Sequence, residues 1–342
     1  MKAQSTNIPV PANGASTNAF SSAIDHWLKT EIANGDARPD TIANYRLWIE
    51  QWFAWCRVNR IDPGCVTRQH VESYRREMVE AGAAYGTISN KLTAVRQFYQ
   101  SALNRGLITV NPAAGVKPPI DREAKETKKN LTEREARKLL ATLPSSPEDS
   151  PHWLRDRSII ILGLLEGLRR VEISLANVED IQTYEEEAED GVCETRYKIL
   201  IHGKRKDRIC YPRKDTVDLL FKYIEARGPI DKEEIVVKGA PVMVTPLFCS
   251  QSKKGKPAGR ITRRGLNHIV DGYLKKAGLK ADDISCHALR HSCGYLTYKE
   301  TKDIRAVQDV LGHANINTAA IYAASDHNKK RYTERIKLKA EE

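Results

Sequence analysis

The strongest constraint on the fold of this chain is a break in its hydrophobic periodicity between residues 111 and 130. The segment NPAAGVKPPIDREAKETKKN contains three prolines, a glycine and charges of both signs. Proline removes a backbone donor and also disfavours helix at the residue before it, so a helix cannot continue through this stretch. At about 150 residues per domain, a chain of 342 residues corresponds to about two domains. We therefore predict two domains joined by a linker over residues 111–130.

The first predicted domain, residues 20–110, is helical. Pro39 and Asp40 precede the second of its helices, where Asp40 is expected to act as the N-cap. Two further helices are expected over residues 67–81 and 87–105. Apolar residues recur at helical spacing at Phe20, Ile24, Trp27, Leu28, Ile42, Tyr45, Trp48, Ile49, Trp52, Phe53 and Trp55. Residues 1–19 carry no apolar run of signal-peptide type and are expected to form a disordered tail.

Charge and composition indicate the class of partner. The formal net charge of +11 attracts polyanions, which makes nucleic acid the leading candidate. The longest apolar run, residues 159–165, is far shorter than the roughly 20 residues of a membrane span. Seven cysteines without a CxxC pair favour reduced thiols over a disulfide framework or a thiolate zinc site. We expect a cytoplasmic protein with no membrane association.

The second predicted domain, residues 131–325, is mainly α with a small antiparallel β-hairpin. Thr132 and Glu135 have the spacing of a capping box, and an apolar helix over residues 159–165 ends at Gly167. Alternating apolar residues on both sides of HGKRKDR indicate the hairpin. Helices are expected from there to the end of the chain. The acidic run YEEEAED, residues 184–190, is expected to be a solvated loop.

Five short motifs of this domain contain residues suited to phosphate chemistry. Taken singly, each has an ordinary structural explanation as an ion pair, a solvated turn or a packed ring. Together they provide two arginines for bidentate phosphate binding, histidines, a lysine that can protonate a leaving oxygen, and a phenol. None of these groups requires a metal. The motifs are GLRRVE (Arg169, Glu172), HGKRKDR (Lys204, Lys206), HALRH (His287, Arg290), LGH (His313) and AAIYAA (Tyr322).

In this order and spacing the motifs resemble the catalytic domain of the tyrosine recombinases, the phage integrase family. The resemblance runs from about residue 20 to Tyr322. It implies a helical, SAM-like core-binding domain over residues 20–110 and a catalytic domain over residues 131–325. Together they would form a C-shaped clamp around duplex DNA. Residues 326–342 would form a C-terminal helix that docks on a neighbouring protomer.

The resemblance also implies a role for each motif residue. Arg169 and Arg290 would clamp the scissile phosphate, with His287 beside them as base or hydrogen-bond donor. Glu172 would orient Arg169. The general acid of the family is a hairpin lysine, which points to Lys204; since the turn here is one residue shorter than the commoner pattern, Lys206 remains an alternative. His313 would bind a phosphate oxygen, and Tyr322 would be the nucleophile.

The two histidines of HALRH also allow a different interpretation. Cys286, His287, His291 and Cys293 lie close together in the sequence, and histidines four residues apart can bind zinc. The residue after His287 is Ala288, however, so the glutamate of an HExxH metalloprotease motif is absent. We therefore predict no metal and no other cofactor, and expect His291 to support the fold.

The resulting prediction is a site-specific DNA recombinase working through a 3′-phosphotyrosyl intermediate and a Holliday junction. Its partners would be duplex DNA carrying a specific recombination site and three further protomers, in a tetramer on two sites within the nucleoid. Two alternatives remain open. A type IB topoisomerase is disfavoured by the helical domain and linker, and a catalytically inactive DNA-binding protein by the complete set of catalytic residues.

Overall fold

The computed structural model describes residues 17–35, 37, 39–120, 130–148, 150, 152–187, 193–202, 207–237, 240–251, 257–281 and 284–312. The chain divides into two compact units, residues 1–125 and 126–342. The predicted tail up to residue 16 and the predicted C-terminal helix, residues 326–342, lie outside the described residues. No helix within the described ranges is long and apolar enough to cross a membrane.

The first unit is helical, as the periodicity predicted. Its core is centred on Trp52, a fully buried side chain whose ring lies 5.0 Å from that of Tyr74 and 5.3 Å from that of Trp55. The indole N–H of Trp52 donates a 3.2 Å hydrogen bond to the hydroxyl of Tyr99, so the polar end of this large ring is satisfied. The helices are α1 (Thr17–His26), a π-helical turn (Trp27–Glu31), two 3₁₀ turns (Ile32–Gly35 and Pro63–Cys65), α2 (Pro39–Val58), α3 (Arg68–Glu80) and α4 (Tyr85–Asn104).

All the apolar residues that the sequence assigned to this core lie in it or pack against it. The start of α2 differs by two residues from the prediction. Because α2 begins at Pro39, Asp40 lies in its first turn and is not the N-cap. Proline suits the first helical position, where its missing N–H would have no helical partner, and a carboxylate in the first turn interacts favourably with the helix dipole.

The second unit contains the candidate site residues. Its helices are α5 (Glu133–Ala141), α6 (Trp153–Leu164), α7 (Arg170–Leu175), α8 (Lys214–Arg227), α9 (Arg263–Lys276), α10 (Cys286–Thr301) and α11 (Ile304–Leu311). A three-stranded antiparallel sheet contains β1 (Ile181–Glu187), β2 (Cys193–Ile201) and β3 (Arg208–Cys210). The unit also contains two separate antiparallel strand pairs, β4 (Glu233–Val237) with β5 (Ala240–Val244) and β6 (Cys249–Gln251) with β7 (Pro257–Arg260).

The mainly α fold with a small antiparallel hairpin is confirmed, and two details of the prediction are wrong. The acidic run begins inside a strand, because Tyr184 to Glu187 pair with β2. Strands β4 to β7 interrupt the stretch that was expected to be only helical after the hairpin. Strand β1 tolerates these carboxylates because the side chains of Glu185 to Glu187 are exposed to solvent.

Three contacts fix α5, α6 and α10 in the second unit. The capping box at α5 is confirmed, with the Thr132 backbone N–H donating to Glu135 Oε2 at 2.8 Å. The preceding residue, Leu131, donates its backbone N–H to Ser292 Oγ at 2.7 Å and so ties the start of the unit to α10. Helix α6 packs closely on α10, since a β-carbon at Gly163 would lie 3.2 Å from Leu289 Cδ1.

Candidate active site

Arg169 and Glu172 form a local pair at the start of α7. The backbone N–H of Arg169 donates to Glu172 Oε2 at 2.8 Å, and its Nη1 donates to Glu172 Oε1 at 2.6 Å. The Glu172 side chain is 4% exposed and that of Arg169 is 36% exposed. The carboxylate is thus a buried anchor, while the guanidinium it orients keeps surface available for a ligand.

A glycine turn places this pair next to the C-terminal helices. Gly167, between α6 and α7, has φ +66°, and a β-carbon there would lie 2.6 Å from Leu311 Cδ2. A left-handed backbone and close contact together require glycine. The turn brings the end of α11 against the residues that lead into Arg169.

Arg290 ties the same elements together from α10. Its side chain is 6% exposed, and it donates from Nη1 to the carbonyl of Gly167 and from Nη2 to the carbonyl of Leu311. Nη1 also lies 4.0 Å from Glu172 Oε2. Gly312, which ends α11 with φ +60°, directly follows Leu311. The position of Arg290 is therefore coupled both to Arg169 and to the backbone just before His313.

A third arginine, which the sequence analysis did not assign to the site, completes the group. Arg208, the first residue of β3, donates from Nη2 to Glu172 Oε2 at 2.9 Å, and its side chain is 16% exposed. The strand pattern contained a usable signal. Alternation places Arg208 on the same side as the buried Cys210 and opposite the exposed Ile209. An inward-facing arginine requires an anionic partner, and Glu172 is that partner.

The electrostatics of Glu172 follow from this arrangement. Burial by itself would raise the pKa of the carboxyl group. The charge of Arg208 and the hydrogen bonds from Arg169 and Arg208 outweigh burial, so the pKa of Glu172 lies below its ordinary value. Glu172 is consequently ionised at neutral pH, with three guanidinium groups around one carboxylate. The excess positive charge suits a dianionic or pentacoordinate phosphate.

His287 lies one helical turn before Arg290 on the same face of α10 and is exposed to solvent. Partial desolvation lowers the pKa of its imidazole, and the positive charges of Arg170, Arg290 and Arg169 lower it further. The ring is therefore predominantly neutral at neutral pH. A neutral imidazole beside arginines can accept a proton from a phenol or donate one hydrogen bond to a phosphate oxygen.

The structure thus brings together Arg169, Glu172 and Arg290. His287 lies close enough for the positive charges of both arginines to lower its pKa. The predicted general acids Lys204 and Lys206, the predicted phosphate ligand His313 and the predicted nucleophile Tyr322 lie outside the described residues. The flanks of the lysine turn are described, and both are anchored. His202 Nε2 lies 2.8 Å from Asp180 Oδ1, and Arg208 pairs with Glu172 on the other side of the turn.

Over the described ranges, no three histidine, cysteine, aspartate or glutamate side chains are grouped so that they could hold a metal ion. The cysteines on both sides of HALRH are buried, and burial raises the pKa of Cys286 to about 11 and that of Cys293 to about 12. Both thiols are therefore protonated at neutral pH in the protein without a metal.

Comparison with known proteins gives consistent results for both units. The model of the phage integrase family matches residues 129–329, and that of the phage integrase N-terminal SAM-like domain matches residues 28–109. Tyrosine recombinase XerC of Thermodesulfovibrio yellowstonii is 29% identical over 86% of this chain and 89% of its own length. The XerC of Bacillus subtilis is 28% identical over 82% of this chain and 84% of its own length.

A likeness to solved structures extends over nearly the whole chain. The crystal structure of the XerH site-specific recombinase bound to its palindromic difH substrate, in a post-cleavage complex, matches with a TM-score of 0.66 at 21% identity. The match covers 95% of this chain and 86% of that one. At this level of identity the likeness supports the fold.

Proposed function

This chain belongs to the phage integrase family and is a site-specific tyrosine recombinase, and we propose that Arg169, His287, Arg290, His313 and Tyr322 carry out its strand exchange. The observation that carries the proposal is the pair of arginines, Arg169 and Arg290, held around the buried carboxylate of Glu172. Arg290 reaches this position by donating to the carbonyl of Gly167, 123 positions earlier in the chain.

In the proposed reaction the phenolic oxygen of Tyr322 attacks the scissile phosphorus. A bond forms between that oxygen and phosphorus while the bond to the 5′ oxygen of the next nucleotide breaks, leaving a 3′-phosphotyrosyl ester and a free 5′ hydroxyl. His287, neutral because its pKa is lowered, accepts the phenolic proton. Arg169, Arg290 and His313 bind the non-bridging oxygens, where negative charge develops in the transition state.

The departing 5′ oxygen requires a proton, and we assign its delivery to Lys204, with Lys206 as the alternative. Both residues belong to the turn between β2 and β3, whose flanks are held by the His202–Asp180 and Arg208–Glu172 contacts. Reversal of the same chemistry, with a 5′ hydroxyl from a partner strand as nucleophile, rejoins the DNA through a Holliday junction. Two successive ester exchanges conserve the phosphodiester energy, so the proposed reaction uses no ATP.

Duplex DNA bearing a specific recombination site is the proposed substrate, and the net charge of +11 supports it. We propose that residues 20–110 form a core-binding domain and residues 131–325 the catalytic domain, which close on DNA as a C-shaped clamp. Exchange between two duplexes, each cut at two positions, requires four active sites. A tetramer on two sites, linked through docking of residues 326–342 on a neighbour, meets that requirement and would act in the cytoplasm on nucleoid DNA.

Covalent trapping tests the assignment of the nucleophile. A nicked suicide substrate loses the short strand after cleavage, so the covalent intermediate accumulates. Wild-type protein in EDTA is expected to form a denaturation-resistant adduct with the DNA 3′-phosphate on the peptide containing Tyr322. Tyr322→Phe keeps the aromatic ring but removes the attacking oxygen, and it is expected to bind DNA and form no adduct.

Tyr332→Phe serves as the matched control, since it changes a tyrosine ten residues further along the same C-terminal region. It is expected to form the adduct in normal yield. An adduct mapped to Tyr332 or Tyr298, or an adduct that disappears with chelator, would overturn the assignment. A trapped Tyr322 adduct would at the same time exclude an inactive DNA-binding protein.

A further inference from the structure

Arg208 occupies the centre of the site without belonging to the set of residues expected to touch DNA. We propose that Arg208 is a positioning residue for strand cleavage, which occupies Oε2 of Glu172 and so keeps Arg290 on the carbonyls of Gly167 and Leu311. The proposal rests on the proposed function, because it concerns the same reaction. It adds a residue that connects the lysine turn, the arginine pair and the backbone before His313.

The distances at Oε2 of Glu172 carry the first step. Arg208 Nη2 lies 2.9 Å from this oxygen, whereas Arg290 Nη1 lies 4.0 Å from the same atom. The Glu172 side chain is 4% exposed, so water does not compete effectively for the oxygen. Two guanidinium groups therefore compete for one buried anionic atom, and Arg208 is the one in hydrogen-bond contact.

Removing Arg208 changes this balance. The charge of Glu172 would be left with Arg169 as its close cationic partner, and its attraction for Arg290 Nη1 would increase. A guanidinium drawn onto the carboxylate would leave the carbonyls of Gly167 and Leu311 that fix its position, and it would no longer lie where the proposed reaction needs it. The expected consequence is a slower chemical step with little effect on the many other contacts that bind DNA.

The hydrogen bonding of Arg208 supports a role beyond stability. Its Nε and Nη1 atoms are buried and have no hydrogen-bond partner among the described residues. Buried donors without partners cost free energy, so this arginine is a poor choice if its sole purpose is to hold β3 in place. Arg208 contributes to the site its positive charge and its hydrogen bond to Glu172.

The stem of Arg208 also contacts the turn before His313. Gly312 has φ +60°, and a β-carbon there would overlap Arg208 Cδ and lie 2.8 Å from Nε. The carbonyl of the preceding residue, Leu311, accepts from Arg290. Arg208 and Arg290 thus hold the end of α11 from two sides, and this end leads into the proposed phosphate ligand.

Single-turnover cleavage of the suicide substrate at saturating protein tests the inference, with DNA affinity measured separately. Arg208→Ala is expected to cleave about 10²-fold more slowly, comparable to the loss of one transition-state donor, with affinity within about threefold of wild type. Arg208→Lys keeps a charge near Oε2 and is expected to fall between the two. Arg196→Ala is the matched control, because Arg196 lies in the same sheet with exposed carboxylates as its partners, and it should cleave at the wild-type rate.

The double variant Glu172→Gln/Arg208→Ala separates positioning from a structural role. If the uncompensated carboxylate draws Arg290 away, neutralising it should restore cleavage at least about tenfold over Arg208→Ala, a non-additive result expected of residues in contact. A double variant no faster than Arg208→Ala overturns the inference, as does an Arg208→Ala protein that folds and cleaves at the wild-type rate. Failure of the wild type to form any Tyr322 adduct would instead refute the proposed function.

Discussion

Arg169 and Glu172 are joined twice, through a 2.8 Å hydrogen bond from the Arg169 backbone N–H and a 2.6 Å hydrogen bond from its guanidinium. The first bond starts α7, and the second aims the Arg169 side chain. A single carboxylate therefore serves both as a helix cap and as the anchor of a proposed catalytic residue. Any change to Glu172 is expected to affect stability and activity together.

Glu172 should stabilise the protein in a pH-dependent way. Its pKa is lower in the folded protein than its ordinary value of 4.5, so its contribution is present above pH 4.5 and is lost as the pH falls through the lower folded pKa. Glu172→Gln is expected to reduce the free energy of unfolding by about 1–3 kcal/mol at pH 7. Urea unfolding from pH 7 to pH 3 should show this difference shrinking, and a difference independent of pH would contradict the assigned charge state.

Glu166 should show the opposite dependence. It is buried, and burial raises its pKa even though Thr216 Oγ1 donates to it at 2.6 Å. The folded protein therefore favours the protonated carboxyl group, and stability declines as the pH rises through the folded pKa. Glu166→Gln keeps an acceptor for the Thr216 hydroxyl and has no charge to bury. Its melting temperature is expected to exceed that of wild type by a margin that grows as the pH rises from 4.5 through the folded pKa and stays constant above it. Equal values throughout would show that Glu166 is not penalised by burial.

The two proposed clamp arginines should differ in their effect on folding. Arg169→Ala is expected to abolish cleavage with little loss of stability, because its side chain is partly exposed. Arg290→Ala should abolish cleavage and also cost about 1–3 kcal/mol, since the carbonyls of Gly167 and Leu311 lose a buried donor. Both variants should retain most of their DNA affinity. Cleavage, gel-shift and thermal-unfolding assays on the two proteins check each part, and wild-type cleavage by either one would remove that arginine from the mechanism.

The hairpin lysines are distinguished by a substrate with a 5′-bridging sulfur at the scissile phosphate. A thiolate leaves without protonation, so this substrate should rescue the variant that lacks the general acid. We expect rescue of Lys204→Ala. For Lys206→Ala, the ratio of the cleavage rates on sulfur-containing and normal DNA should be similar to the ratio for wild type. Rescue confined to Lys206→Ala would transfer the role to that residue, and rescue of neither would exclude the hairpin as the acid.

DNA binding should depend strongly on salt. A protein with a net charge of +11 that contacts 6 to 10 phosphates is expected to lose about 10³- to 10⁵-fold in affinity between 50 and 200 mM salt. Fluorescence anisotropy with a labelled site measures the slope of log affinity against log salt. A flat titration would be inconsistent with extensive phosphate contact.

Much of the fold follows from local patterns in the sequence. The Trp52 core of the first unit was predictable because apolar residues at helical spacing must share a buried face. The Thr132–Glu135 capping box was predictable because it involves two residues three positions apart. The His287–Arg290 face was predictable for the same reason, since these residues lie three positions apart on one helix. The pairing of Glu172 with Arg169 was expected from the family resemblance.

Contacts between distant residues were not accessible in this way. Arg208 reaches Glu172 across 36 positions, and Arg290 reaches Gly167 across 123. A contact at either of these sequence separations leaves no periodic pattern in the sequence. Which residues meet depends on how α6, α10, α11 and the sheet pack together. Strands β4 to β7 were missed for a related reason: short two-stranded pairs are stabilised mainly by their neighbours. The order and spacing of short motifs, through their resemblance to the tyrosine recombinases, thus identified the family of this protein, while tertiary packing decided that three arginines share one carboxylate.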